Sequence, residues 1–201
     1  MNQSREEAMH DETLDRSDAV PARTVAPAPA AEGDTARKAM LYAGIVALVI
    51  VLDIWTKRMV EESLRLYDPV PVLGDDFFRL TYIFNRGAAF GLHLGDSSRY
   101  IFMGLAVVAV VFLLYMYRNT PWSDRLRLVA IASVTGGAIG NLIDRVRSAR
   151  GVVDFLDFGV GTVRWPVFNV ADIAVTVGAI LLAISLWREE QNHEREGHVG
   201  R

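Results

Sequence analysis

Four aspartates, Asp53, Asp144, Asp154 and Asp172, stand at or near the ends of apolar stretches, with Asn141 similarly placed and Asn85 in the long loop between the first two. An ionised aspartate at mid-bilayer costs about 2.5–3.5 kcal/mol on insertion scales and less toward the interface, so residues of this kind face polar cavities and mark function. Two carboxylates held close together cannot both ionise cheaply. One keeps a proton as general acid while its ionised partner takes a proton from water, which is the chemistry of aspartic peptide-bond hydrolysis.

Each residue also has a plain structural reading. Asn169-Val-Ala-Asp172 has the spacing of a helix cap, with Asn169 as N-cap and Asp172 near the positive end of the helix. Asp53 and Lys57 make an i, i+4 pair suited to a helix end. Asp144 and Arg145 suit a solvated interfacial pair, and Asp154 and Asp157 the polar positions of an edge strand. Gly136 and Gly140 form a small-xxx-small pair of the kind that lets helices approach closely.

The elements that would position these residues are read from hydropathy. A spanning helix needs about 20 residues to cross about 30 Å of hydrocarbon. Four stretches qualify: Ala39 to Trp55 with Asp53 as its only charge, Tyr100 to Tyr117 with none, the Gly-rich Leu126 to Ile143, and Trp165 to Trp187 with Asp172 as its only charge before the closing residues. Trp55, Trp122, Trp165 and Trp187 lie near the ends, where amphipathic rings favour the interface. Four spans put both termini on one side and the loops Thr56 to Arg99 and Asp144 to Arg164 on the other. By that order Asp53, Asn85, Asn141, Asp144, Asp154 and Asp172 meet one membrane face. In the loops, Phe77 to Phe84 and Gly151 to Phe158 read as strands, the first followed by a turn over Asn85 to Gly91. The expected fold is an all-α polytopic membrane protein of four transmembrane helices with a small extracytoplasmic β-sheet element.

Composition sets the surrounding bounds. Of 201 residues, 51% are hydrophobic, too many for an ordinary soluble domain of this size. Residues 1–38 hold five basic and eight acidic side chains and the rest carries 16 of each, so the membrane part is neutral and a nucleic-acid partner is not expected. Absence of cysteine removes disulfides, thiolate metal sites and cysteine nucleophiles. The Pro/Ala-rich segment 1–38 reads as a disordered tail without a cleavable signal, so the first helix does the targeting. His10, His93, His193 and His198 lie outside the spans, no His-Glu-x-x-His or Gly-x-Ser-x-Gly motif occurs, and neither a metal nor another cofactor is expected. Basic residues before the first span and between the second and third favour cytoplasmic termini, weakly, because the opposite loops are basic too. A small proton-coupled transporter or channel subunit is the alternative reading, although it expects polar groups through the depth of the spans.

The chain resembles the bacterial lipoprotein signal peptidases of type II, which are four-helix aspartyl proteases. The resemblance lies in Asp53-Ile-Trp-Thr56-Lys57, Asn85-Arg-Gly87-Ala-Ala-Phe90, Gly136-Gly-Ala-Ile-Gly140-Asn141-Leu-Ile-Asp144-Arg145, Val152-Val-Asp154-Phe155 and Phe168-Asn169-Val-Ala171-Asp172. Each is weakly specific alone; five in the family's order and spacing are highly specific. The resemblance implies that Asp154 and Asp172 are the catalytic dyad and that Asn85, Gly87, Asn141, Arg145 and Asn169 support it and bind substrate. Asp53, Lys57 and Asp144 would hold the architecture. It covers a peptidase domain over 39–187 in the bacterial cytoplasmic membrane and carries nothing over to the flanking segments 1–38 and 188–201, which the span order places on the cytoplasmic side; a monomer is expected. Its substrates would be diacylglyceryl-modified prolipoproteins, cut just before the lipidated cysteine among membrane lipids.

Overall fold

The structure, a computed structural model, describes residues 32–74, 76–87 and 97–199. Four helices carry the apolar stretches: α1 Glu32–Ser63, α2 Ser98–Asn119, α3 Arg125–Arg147 and α4 Val170–Val199. Each is long and apolar enough to cross a bilayer. Helix α1 begins before the expected span and runs two turns beyond Trp55, so residues 32–38 are helical; the expected disorder of 1–31 lies outside the described residues, as does the end of the Asn85 to Gly91 turn. Helix α4 continues to Val199 through the segment expected to be a tail.

Helix α3 is the middle of the bundle, packed against α1, α2 and α4. Leu128, Ala130, Ile131, Ala132, Thr135, Gly136, Gly137 and Gly140 are buried along it. Its glycines make the close approaches. A Cβ on Gly136 would stand 2.8 Å from the Val49 side chain of α1, and one on Gly140 would stand 2.6 Å from Asp53 Oδ2. The small-xxx-small pair is therefore a packing device, and it admits a carboxylate to the helix surface.

The loops build four antiparallel strands where two were expected: β1 Val70–Leu73, β2 Phe78–Asn85, β3 Val152–Val160 and β4 Val163–Arg164, in that spatial order. Strand β3 is thus interior, which corrects the edge-strand reading of Asp154 and Asp157. Val153 and Phe155 pack with Val60 of α1 and Tyr82 of β2. By strand alternation Asp154 and Asp157, three apart, project to opposite faces. A register shift between Leu80 and Ile83 bulges β2, after which Ile83 stands opposite Asp154 and Asn85 opposite Val152.

Helix α4 starts five residues later than hydropathy suggests. Trp165 to Phe168 are apolar but extended, and Phe168 exchanges backbone hydrogen bonds with Leu156 at 2.8 and 3.1 Å. This small bridge docks the N-terminus of α4 on β3 two residues from Asp154.

Candidate active site

Asn169 follows the bridge directly. Its Oδ1 accepts from the Asp172 amide at 3.0 Å, and Asp172 Oδ2 accepts from the Asn169 amide at 3.1 Å. This is a reciprocal cap of α4, so the capping reading of both residues holds. It does not exclude a site. The side-chain Nδ2 of Asn169, a fully buried residue, donates to Asp154 Oδ1 at 2.6 Å and to Asn141 Oδ1 at 3.1 Å. One asparagine therefore touches both Asp154 and Asp172.

Two further asparagines aim their NH2 groups at the carboxylates. Asn85 Nδ2 donates to Asp154 Oδ2 at 2.9 Å, and its Oδ1 is occupied by the Gly87 amide at 3.0 Å. Asn141 Nδ2 donates to Asp172 Oδ1 at 2.8 Å. The orientation of Asn141 is dictated from behind, because its Oδ1 accepts from Lys57 Nζ at 3.1 Å and a lysine can only donate. Asp154 is 1% exposed and Asp172 half-buried. Burial pushes the Asp154 carboxyl up to about 7, and the negative charge of Asp172 adds to the rise. Hydrogen bonds from Asn85 and Asn169, and the charge of Lys57, oppose it without cancelling it.

Beneath the pair lies a charged support. Lys57 Nζ is 2.7 Å from both Asp53 Oδ2 and Asp144 Oδ2, all three nearly or fully buried. Asp53 Oδ1 accepts the Ala171 amide of α4 at 3.0 Å, and Asp144 Oδ2 the Val153 amide of β3 at 3.3 Å. Asp144 is thus committed to Lys57 rather than to a solvated pair with Arg145. Arg145 bonds neither Asp154 nor Asp172; its Nη1 donates to the Asn141 carbonyl at 3.0 Å and it lines the cavity.

That cavity, about 1060 Å³, is lined by Asp154, Asp172, Asn85, Gly87, Asn141 and Arg145. Apolar residues close one flank, among them Ile173, Val177 and Phe168. Asn85, Gly87, Asn141, Arg145, Asp154, Asn169 and Asp172 are thus brought together, and Asp53, Lys57 and Asp144 form the layer behind them. Sequence reasoning missed Arg99, whose guanidinium donates to the Arg145 and Val146 carbonyls at 2.6 and 3.1 Å and ties the end of α3 to α2. It also missed the weight of Asp157, whose Oδ2 accepts from Thr81 and Arg79 and whose Oδ1 accepts from Arg164. Burial would raise that carboxyl, but these hydrogen bonds outweigh it and hold it below the usual range.

Four helices long and apolar enough to span, a small sheet and two carboxylates in one cavity are the features of a polytopic membrane enzyme. A model of the signal peptidase (SPase) II family matches residues 45–188. The chain belongs to the signal peptidase II family. It is 44% identical over 147 residues to the lipoprotein signal peptidase of Halothermothrix orenii, covering 73% of this chain and 95% of the relative. It is 41% identical over 157 residues to that of Cupriavidus taiwanensis, covering 77% and 86%. Two solved bacterial membrane enzymes share the fold. One has a TM-score of 0.68 at 30% identity over 75% of this chain and 90% of its own; the other has 0.64 at 31% over 72% and 91%. The protein is a membrane peptidase, and the transporter alternative finds no support.

Proposed function

We propose that Asp154 and Asp172 are the proton-sharing pair that cuts the signal peptide from diacylglyceryl-modified prolipoproteins, just before the lipidated cysteine. Asp172, the more exposed, takes a proton from water. The water attacks the scissile carbonyl carbon while the carboxyl of Asp154 gives its proton to the carbonyl oxygen. As the tetrahedral diol collapses the C–N bond breaks, the leaving amine nitrogen takes the proton held by Asp172, and Asp154 regains one from the diol, with no covalent enzyme adduct. Asn85 and Asn169 hold Asp154, Asn141 and Asn169 hold Asp172, and Gly87 and Arg145 line the substrate cavity. The apolar flank along α4 accepts lipid-embedded parts of the substrate.

The single observation that carries this reading is Asn169 hydrogen-bonded to both carboxylates at once. The raised Asp154 carboxyl fits a group that keeps its proton near neutral pH. The domain is residues 39–187, working as a monomer among the lipids of the bacterial cytoplasmic membrane. Both termini are cytoplasmic and the cut is made at the outer face.

The test is cleavage of a diacylglyceryl-modified lipobox peptide by the purified full-length protein. The unlipidated peptide should remain intact. Asp154→Asn and Asp172→Asn should each lower turnover by about 10²–10⁴-fold while preserving the fold. A fully active Asp154→Asn enzyme overturns the assignment.

A further inference from the structure

A second recess, about 210 Å³, lies between the C-terminal ends of α1 and α3 and the turn that leads into β3. Lys57, Arg58, Arg147 and Arg150 line it, together with the acids Glu61 and Asp144. Lys57 and Asp144 are already matched within the buried cluster that includes Asp53. What remains is three guanidinium-bearing residues against one carboxylate-bearing residue. Among the described residues, Arg58, Arg147 and Arg150 form no ion pair. By contrast, Arg79, Arg127 and Arg164 each close on a carboxylate.

Three guanidinium groups around the one carboxylate of Glu61 leave an excess of positive charge that a bound anion would balance. Arg150 is held in place, its guanidinium 4.1 Å over the Phe84 ring and its amide donating to Ser148 Oγ at 3.1 Å. Arg58 and Arg147 sit at the ends of spanning helices, the level at which phospholipid phosphates lie. Their neighbours are exposed and apolar: Trp55 and Met59 flank Arg58 on α1, and Val146 precedes Arg147. A free phosphate would use only the arginines, whereas a glycerophospholipid would use both, with the phosphate in the recess and acyl chains along Trp55, Met59 and Val146.

We propose that this recess binds the phosphate of an anionic phospholipid through the guanidinium groups of Arg58 and Arg147, with Arg150 as its third wall. A planar guanidinium offers two parallel donors to a phosphate, so the site selects for the charged headgroup and its geometry. The inference is independent of the peptidase reading, because its readout is lipid binding and not cleavage.

The full-length protein in detergent is titrated with phosphatidylglycerol or phosphatidylcholine, and the affinity of the first retained lipid is read by native mass spectrometry. Phosphatidylglycerol should bind saturably and more tightly than phosphatidylcholine. The double variant Arg58→Gln/Arg147→Gln should weaken phosphatidylglycerol by roughly tenfold to thirtyfold and leave phosphatidylcholine unchanged. Arg118→Gln/Arg125→Gln, removing equal charge at the other end of the bundle, should change neither. Equal phosphatidylglycerol affinity in the wild type and the first variant overturns the proposal. So does an equal loss in the control pair, which would mean a diffuse charge effect. Displacement of the lipid by millimolar inorganic phosphate would make this a free-anion site and overturn the lipid assignment. Arg147→Lys keeps the charge but loses the fork, and it carries the test should the double variant not fold: a severalfold weaker affinity supports the proposal, an unchanged one overturns it.

Discussion

At Asp154, a carboxyl 1% exposed faces the charge of a second carboxylate, and its ordinary ionisation moves up to about 7. The proposed mechanism needs the proton on Asp154. Raising the pH through about 7 removes it, so cleavage should decline above neutrality along a limb set by this group. Asn85 donates to Asp154 Oδ2 and thereby favours the ionised form. In Asn85→Ala that help is gone, the Asp154 carboxyl rises further, and the descending limb should move to higher pH. A pH–rate profile of the variant checks this; a lower rate at every pH with the limb unmoved would reduce Asn85 to packing. Asp53, Asn141, Asp144 and Asp172 stood out in the sequence because polar groups at span ends are costly and therefore few, whereas Asn169 read as a helix cap and joined the candidate site only through the family resemblance. The direction in which each amide points was not, since Asn141 is oriented by Lys57, 84 positions away in the chain.

Among the elements, the spans were legible because hydropathy is a local property and the bilayer demands it over about 20 residues. Their ends were less so. Trp165 to Phe168 are apolar enough to extend α4, yet they pair with β3, and only that tertiary docking sets the helix start at Val170. Strand β1 has all four residues exposed and no alternation to announce it. Asp157 reads from sequence as a polar position of an edge strand, but it joins Arg79 and Thr81 of β2 to Arg164 of β4 and so fastens three strands. Its amide variant should lower stability by about 1–3 kcal/mol, because a buried acceptor facing arginines is replaced in part by a donor. The helix contacts allow a cleaner test. Gly140→Ala would place a methyl 2.6 Å from Asp53 Oδ2, an oxygen that cannot retreat without leaving Lys57. About 1–3 kcal/mol of overpacking cost is expected as a lowered Tm. Gly44, with open space around its Cβ position, should accept alanine without loss.

Across the whole molecule, one ammonium group holds together parts that the chain keeps far apart. Lys57 on α1 binds Asp53 and Asp144; Asp53 receives the first turn of α4 through the Ala171 amide, and Asp144 receives β3 through Val153. The same ammonium turns Asn141 toward Asp172. Support and site are therefore one network. Lys57→Met keeps most of the side-chain volume but leaves two buried carboxylates without their cation and Asn141 Oδ1 with Asn169 Nδ2 as its remaining donor. Breaking a buried pair from one side costs about 3–5 kcal/mol, so Tm should fall well below that of the wild type. Cleavage should fall by more than unfolding accounts for, because Asn141 loses one of the two donors that fix its amide. Asp53→Asn/Lys57→Met removes one buried negative charge along with the positive one, so it should recover part of the lost Tm while the turnover defect persists. If the double variant regains turnover in step with its Tm, Lys57 serves stability alone and the proposed link to Asp172 through Asn141 is wrong.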